Sequence, residues 1–171
     1  AALRLLGVDD PESYGGVRLD KVSSLIVSER MAPSASFGAT WGGSVNLTII
    51  PLYLFGTDAQ KRKFLPRLCS GEHLGAFGLT EPEAGSDAGG TKTRAAKDGD
   101  GYLVNGRKIY ITNGSVAGAV VFTAVTSPGV GVKGISSFIV EKGASAFTPG
   151  TREKKLGHRA SDTVELIFEN L

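Results

Sequence analysis

The stretch from Asp98 to Thr112 reads DGDGYLVNGRKIYIT, and it alternates turn-forming residues with short runs of strand-forming residues. The segment Asp98–Gly101 and the pair Asn105-Gly106 supply residues that tolerate a positive φ, as tight hairpin turns require. Beside them lie Tyr102–Val104 and Ile109–Thr112, whose aromatic and β-branched side chains favour strands. The stretch therefore predicts antiparallel strands, with a tight turn at each of the two glycine-containing sites.

Further strand candidates of the same character lie on both sides of this stretch. They are Leu74–Thr80, Thr91–Ala96, Val120–Thr126, Ile135–Val140 and Val164–Phe168. Strands at this spacing, separated by turn signals, are typical of an antiparallel β-sandwich or barrel. We therefore assign residues 73–171 to a β-domain.

The residues before this β-domain have a helical pattern instead. Val22, Leu25 and Ile26 recur at the i, i+3, i+4 spacing and are expected to form the buried face of a helix. Residues 34–55 form a second apolar stretch, and Pro51 within it predicts a kinked or broken helix. Residues 1–72 and the β-domain together predict an α+β fold.

A capping box, Thr57-Asp58-Ala59-Gln60, opens the last predicted helix. The basic residues that follow it are expected to face solvent, while Phe64, Leu65 and Leu68 are expected to face inward. Pro66 is expected to help end this helix.

Composition excludes several classes of function. The chain has 171 residues and a formal net charge of +2, too small an excess for a typical nucleic-acid binder. Cys69 is the single cysteine, so no internal disulfide can form, and a metal site is not expected. No apolar run approaches the roughly 20 residues of a membrane-spanning helix. The first residues and the abrupt end after a strand-like run lead us to expect a piece of a longer protein.

Two familiar motifs are not supported by their surroundings. Gly129–Gly134 fits the dinucleotide pattern G-x-G-x-x-G, but that pattern needs a following helix, and the β-forming run Ile135–Val140 follows here. We interpret Gly129–Gly134 as a hairpin loop. Ser161, His158 and Asp162 are neighbours in sequence without a nucleophile elbow, so no catalytic triad is assigned to them.

The segment Gly75–Asp87 reads GAFGLTEPEAGSD, a predicted strand that runs into a loop. A loop with Pro82, Gly85 and Ser86 can present backbone N–H groups and hydroxyls together, which suits an anion or the polar edge of a ring. The residues alone favour an ordinary loop, in which Glu81 and Asp87 shape the backbone by hydrogen bonding.

This segment closely resembles the first signature of the acyl-CoA dehydrogenase family, flavoenzymes that oxidise acyl-CoA thioesters. Asn105–Gly114, which reads NGRKIYITNG, resembles the family stretch N-G-x-K-x-(aromatic)-I-T-N-G. Tyr14-Gly15-Gly16 and Lys155–Thr163 also look like landmarks of the family. The resemblance spans nearly the whole chain in the family's order.

The resemblance implies a three-part protein of which this chain holds less than the whole. Family members have an N-terminal helical domain, a central β-domain and a C-terminal helical bundle. The chain is similar to the later part of the first and to nearly all of the second, so the bundle is absent. The family's catalytic base is a glutamate that lies in the bundle in most members. We therefore assign no catalytic residue here and expect the base beyond Leu171.

The resemblance also implies residues that bind FAD. Phe77, Leu79 and Thr80 would line the pyrimidine side of the flavin, with the Leu79 and Thr80 N–H groups and the Thr80 hydroxyl at its N1/O2 edge. Donors there stabilise the negative charge that reduction leaves at that edge. Gly85 would allow close approach, and Ser86 would contact both the FAD pyrophosphate and the acyl-CoA substrate.

The second signature implies three more cofactor-binding residues. Tyr110, Ile111 and Thr112 match the family's aromatic-I-T triplet. Tyr110 would cover the ring face at a position that is commonly Trp, and Thr112 would bond near flavin N5 and O4.

The implied reaction is FAD-dependent α,β-dehydrogenation of an acyl-CoA thioester to the trans-2-enoyl-CoA, with electrons passed to an electron-transfer flavoprotein. A homotetramer in the bacterial cytoplasm or the mitochondrial matrix is implied as well. An acyl-CoA oxidase or flavin monooxygenase of the same fold, or a module without catalysis, are the alternatives.

Overall fold

The computed structural model describes residues 4–144 and 147–171, with helices first and strands afterwards. A single 3-10 turn, Glu12–Tyr14, precedes the main helices. The helices are α1 (Lys21–Met31), α2 (Ala35–Ser44), a π-helical turn (Val45–Ile49), α3 (Ile50–Phe55) and α4 (Asp58–Cys69). The strands are β1 (Gly75–Gly78), β2 (Arg94–Asp98), β3 (Gly101–Thr112), β4 (Ala119–Val125), β5 (Ile135–Glu141), β6 (Phe147–Arg152) and β7 (Thr163–Phe168). The predicted α+β class is confirmed.

The broken helix predicted over residues 34–55 is confirmed. After α2 the backbone widens into the π-helical turn Val45–Ile49, and α3 starts with Pro51 in its first turn. Proline has no N–H to donate to the preceding turn, which accounts for a break in the α-helical ladder at this point. Ser44 and Thr48, both buried at this break, bond the backbone of β1 and so attach the helices to the sheet.

The capping box at the start of α4 is confirmed in both directions. The Thr57 hydroxyl accepts from the Gln60 N–H at 3.3 Å, and the Gln60 side chain accepts from the Thr57 N–H at 2.9 Å. Phe64, Leu65 and Leu68 are buried as predicted. Pro66, however, lies inside the helix, which continues to Cys69.

The predicted inner face of α1 is wrong. Val22, Leu25 and Ile26 are 61%, 63% and 51% exposed, whereas Ser24 and Met31 are buried. The side chain of Asp20 caps the start of the helix by accepting from the Ser23 N–H at 2.8 Å. Its apolar stripe is real, but no part of the described chain covers it.

The seven strands form one curled, mixed sheet. Their order is β1-β4-β2-β3-β7-β6, and β5 pairs with the other edge of β4. Most pairs are antiparallel, as predicted, but β1 and β2 both run parallel to β4. Parallel strands need a long connection, and the chain between β1 and β4 supplies one, with a loop and a hairpin. Turn signals in the sequence do not reveal such a pairing.

Two details of the strand prediction are wrong. Asn105-Gly106 is not a turn, because β3 runs through it; Asn105 instead exchanges hydrogen bonds with Asn170 beyond β7. Gly106 has φ +155°, and a Cβ there would lie 2.4 Å from the Thr93 hydroxyl oxygen, so glycine is needed for close strand contact. Strand β6 was not predicted. The turn after Asp98, the loop interpretation of Gly129–Gly134 and the remaining strands are confirmed.

Two clusters make up the core. One lies within the sheet around Phe122, Leu166 and Phe168, and the other lies between the helices and one face of β4 and β5. The second cluster fixes α2 and α4 against the β-domain, and thereby places α2 beside the end of β3.

Candidate functional site

The two signature segments lie side by side. The Ile109 N–H in β3 donates to the Thr80 carbonyl, just past β1, at 2.9 Å. At the other end, the buried Asn113 amide donates to the Gly75 carbonyl at 3.0 Å and to the Thr40 carbonyl of α2 at 2.9 Å. These bonds bring together residues that lie 38 and 73 positions apart in sequence for Asn113, and about 30 positions apart for Ile109 and Thr80.

The second signature segment contains a β-bulge, which leaves some of its side chains buried and others exposed. The register of β3 against β7 shifts between Lys108 and Ile111, and Tyr110 lies in this shift with φ +59°. A bulky residue in the left-handed region is strained, and such strain is common at functional sites. It leaves the Tyr110 ring 61% exposed while Ile111 is buried in the sheet core.

The predicted cofactor-binding residues differ in their exposure to solvent. Tyr110, Gly85 and Ser86 are exposed, and Leu79, Thr80 and Thr112 are half-buried. The side chain of Ile111 packs in the core, so only its backbone remains for a ligand. Phe77 lines a half-open apolar groove of about 290 Å³ together with Leu52 and Phe55 of α3 and Val121 and Ile139 of the sheet.

The hydroxyls of Thr80, Ser86 and Thr112 have no hydrogen-bond partner among residues 4–144 and 147–171, so they are available to a ligand. A Cβ on Gly85 would meet nothing within 4 Å, so glycine leaves open space there. Hydroxyl donors around a half-buried edge and an open, polar loop beside it fit the ring and the phosphates of a flavin nucleotide.

A buried ion pair lies beneath the first segment. Lys108 and Glu81 are 0% and 3% exposed, and the Lys108 Nζ is 2.7 Å from Glu81 Oε1. Glu81 also accepts from the backbone N–H groups of Lys92 and Thr93, at 2.6 and 3.1 Å. The predicted loop-shaping role of Glu81 agrees with these bonds.

Burial and pairing act in opposite directions on the two pKa values. Burial raises the pKa of the Glu81 carboxyl, but the bonds from Lys108, Thr93 and Lys92 outweigh it and hold that pKa below its usual value. Burial also lowers the pKa of the Lys108 ammonium, and the pairing with Glu81 opposes this shift. The Glu81 carboxyl is therefore charged near neutral pH.

Lys108 lies within the second signature segment, but the resemblance implies no role for it. A signal was present, because side chains alternate along a strand and Lys108 is in step with Val104, whose side chain is buried. A lysine at an inward position of a strand indicates a buried partner.

A metal ion needs a suitable grouping of side chains to hold it. Among residues 4–144 and 147–171, no three His, Cys, Asp or Glu side chains are grouped so that they could hold a metal ion. In the same ranges, no helix combines the length and the apolar character that crossing a membrane requires.

Comparison with known proteins agrees with this arrangement. Residues 76–171 match the acyl-CoA dehydrogenase middle domain, and residues 1–72 match the acyl-CoA dehydrogenase N-terminal domain. The chain belongs to the acyl-CoA dehydrogenase family.

Individual acyl-CoA dehydrogenases resemble it over almost its whole length. An acyl-CoA dehydrogenase of Bacillus subtilis is 47% identical over 167 residues, which cover 97% of this chain and 44% of that protein. A structure of acyl-CoA dehydrogenase from Bacillus anthracis complexed with FAD superposes with a TM-score of 0.91 at 42% identity, covering 99% of this chain and 29% of the other.

A chain from the structure of an electron transferring flavoprotein of Acidaminococcus fermentans superposes with a TM-score of 0.95 at 46% identity. The match covers 97% of this chain and 44% of that one. The chain thus spans less than half the length of these proteins.

Proposed function

We propose that this chain is the flavin-binding part of an FAD-dependent acyl-CoA dehydrogenase. The intact protein would convert an acyl-CoA thioester to the trans-2-enoyl-CoA and pass the electrons to an electron-transfer flavoprotein. The observation that carries this proposal is the direct bond between the two signature segments, from the Ile109 N–H to the Thr80 carbonyl. The FAD in the related Bacillus anthracis structure supports the choice of cofactor.

Bound FAD supplies the two-electron acceptor, and this chain supplies the surroundings. The Leu79 and Thr80 N–H groups and the Thr80 hydroxyl would donate to the N1/O2 edge of the flavin, where preorganised donors favour added negative charge. The hydroxyl of Thr112 would donate near N5 and O4 and so orient the ring. Tyr110 would cover the ring face and keep water away from it.

The first segment also holds the phosphates and the thioester. Ser86 would donate to the FAD pyrophosphate and contact the acyl-CoA, while Gly85 would leave space for both to approach. The proton on the α-carbon is removed by a glutamate beyond Leu171. The family resemblance further supports a homotetramer, located in the bacterial cytoplasm or in the mitochondrial matrix.

The proposal is tested on the intact protein that carries this chain. It should purify yellow, and its flavin absorption should bleach when a suitable acyl-CoA is added without oxygen. The product should be lighter than the substrate by two hydrogens, and added electron-transfer flavoprotein should restore the yellow colour. A colourless protein that takes up no FAD would contradict the proposal.

A substitution at the second segment tests the assigned roles. Thr112→Val removes a donor and keeps the shape of the side chain, so flavin reduction by acyl-CoA should slow by about 10- to 100-fold. Its unfolding midpoint should stay close to that of the unsubstituted protein. Thr151→Val, at an exposed position of β6, is the matched control and should leave the reduction rate unchanged.

A further inference from the structure

We propose that Lys108 is a positioning residue whose buried ammonium group aims the Thr80 backbone N–H at the bound flavin. The inference rests on the proposed function and adds to it the residue that sets the direction of a cofactor donor. It is carried by the hydrogen bonds that Lys108 makes beneath the first signature segment.

The direction of the Thr80 N–H follows from the bond that Lys108 makes to the preceding carbonyl. The Lys108 Nζ donates to the Leu79 carbonyl at 3.2 Å, from a side chain that is 0% exposed. The described part of the chain contains no cis peptide, and in a trans peptide the C=O of one residue and the N–H of the next point in opposite directions. Since the Leu79 carbonyl points inward to Lys108, the Thr80 N–H points away from the interior.

The peptide on the other side of Thr80 is held as well. The Thr80 carbonyl accepts from the Ile109 N–H at 2.9 Å. Two neighbouring residues of β3, Lys108 and Ile109, thus fix the carbonyls of Leu79 and Thr80. One bond comes from a side chain and the other from the backbone. Neither peptide plane can rotate without breaking one of these bonds, and the donor is thus oriented before any ligand binds.

The ammonium has no donor to spare. A lysine offers three N–H donors, and Lys108 uses them on the Leu79 carbonyl, on Glu81 Oε1 and on the Thr123 hydroxyl oxygen, the last at 3.1 Å. Its stem packs against Gly78, where a Cβ would lie 3.1 Å from Lys108 Cγ. A side chain held at both stem and head cannot move to a second position, as the positioning role requires.

The decisive experiment compares two variants of the intact protein that both lack the Glu81 carboxylate. Glu81→Gln keeps the Lys108 donor and an acceptor for it, whereas the double variant Lys108→Met/Glu81→Gln removes the donor to Leu79 without leaving a lone buried charge. Lys155→Met is the matched control, because Lys155 makes a similar bond, to the Ser161 carbonyl at 2.8 Å, in another part of the β-domain.

Three quantities are measured for each variant: the Kd for FAD, the reduction potential of the bound flavin, and the thermal midpoint without FAD. The double variant should bind FAD at least 10-fold more weakly than Glu81→Gln, and its flavin potential should become more negative. Lys155→Met should change neither. A role confined to stability would lower the thermal midpoint and leave the potential unchanged.

The outcomes separate this inference from the function on which it rests. If the unsubstituted protein binds FAD and the double variant matches Glu81→Gln in Kd and potential, the positioning role is wrong and the proposed function stands. If the unsubstituted protein binds no FAD, the proposed function and the positioning role both fall.

Discussion

Two buried carboxyl groups, one in each half of the molecule, have opposite surroundings. In the β-domain, Glu81 is 3% exposed and its carboxylate accepts hydrogen bonds from three donor groups, one of them a lysine. In the helical half, Asp10 is 5% exposed, and its Oδ2 has no hydrogen-bond partner within the described ranges. Burial, reinforced by Asp9, raises the pKa of Asp10 to about 6. The Glu81 carboxylate is therefore fully paired within the protein, whereas the Asp10 carboxyl is paired only in part.

The two halves also differ in how their apolar residues are covered. The sheet encloses its own predicted interior, whereas the predicted interior of α1, around Leu25, faces outward. Periodicity locates an apolar face on a helix, but it does not say whether another part of the same chain covers that face.

The largest expected effect is in the β-domain. Lys108→Met alone should reduce the free energy of unfolding by about 3 to 5 kcal/mol, because it leaves Glu81 charged, buried and without its cation. Arg67→Met, which breaks an exposed ion pair with Glu72 in the helical half, should cost under about 1 kcal/mol. Urea unfolding followed by circular dichroism measures both. Equal losses would remove the contrast between the two halves.

The next effect compares two leucines. Leu166→Ala in β7, where the side chain is 0% exposed, should cost about 2 to 5 kcal/mol. Leu25→Ala in α1, where the side chain is 63% exposed, should change stability by no more than about 0.5 kcal/mol. A large loss for Leu25→Ala in the 171-residue chain would show that α1 is covered in solution.

Asp10 should make the helical half sensitive to pH in the direction opposite to Glu81. The pKa of Asp10 is higher in the folded chain than in the unfolded chain, so its stability contribution is complete below about pH 4 and is lost as the pH rises through 6. Asp10→Asn should therefore stabilise the chain at pH 7 by about 1 to 2 kcal/mol, after allowance for screening by solvent, and should have little effect at pH 3.5.

The Glu81 dependence has the reverse sign, since its pKa is lowered in the folded chain. Its contribution is present above the ordinary carboxyl pKa and is lost as the pH falls below it. Thermal midpoints across pH 3 to 8, with Glu81→Gln and Asp10→Asn in parallel, check both directions. A gain from Asp10→Asn that persists at pH 3.5 would contradict the assignment.

The smallest effect concerns the capping box of α4. Thr57→Ala removes the acceptor for the Gln60 N–H at an exposed helix end and should cost about 1 kcal/mol. Thr57→Ser keeps the acceptor and serves as the control, which should match the unsubstituted chain in the same unfolding measurement.

The predictable parts of this molecule depend on local chemistry. The capping box, the turn after Asp98 and the broken helix at Pro51 follow from bonds within a few residues, and each was confirmed. The parallel pairing of β1 with β4 and the outward face of α1 depend on distant parts of the fold, which no local pattern contains.

The candidate site divides in the same way. The signature residues were identified by resemblance, and their binding roles stay predictions. The strained backbone at Tyr110 and the contacts of Lys108 arise only when β3 meets the loop after β1. Neither segment alone specifies them, although a lysine in step with the buried Val104 was a usable signal.

The strand that runs through Asn105-Gly106 also bears on how the protein ages. In flexible chains an asparagine before glycine loses ammonia readily, because the glycine nitrogen can attack the side-chain carbonyl and close a five-membered ring. In β3 the backbone is extended, and the Asn105 amide is engaged by Asn170 on both its oxygen and its nitrogen. The folded state thus shields this Asn-Gly pair, and the slow appearance of aspartate at position 105 would record how often this strand opens.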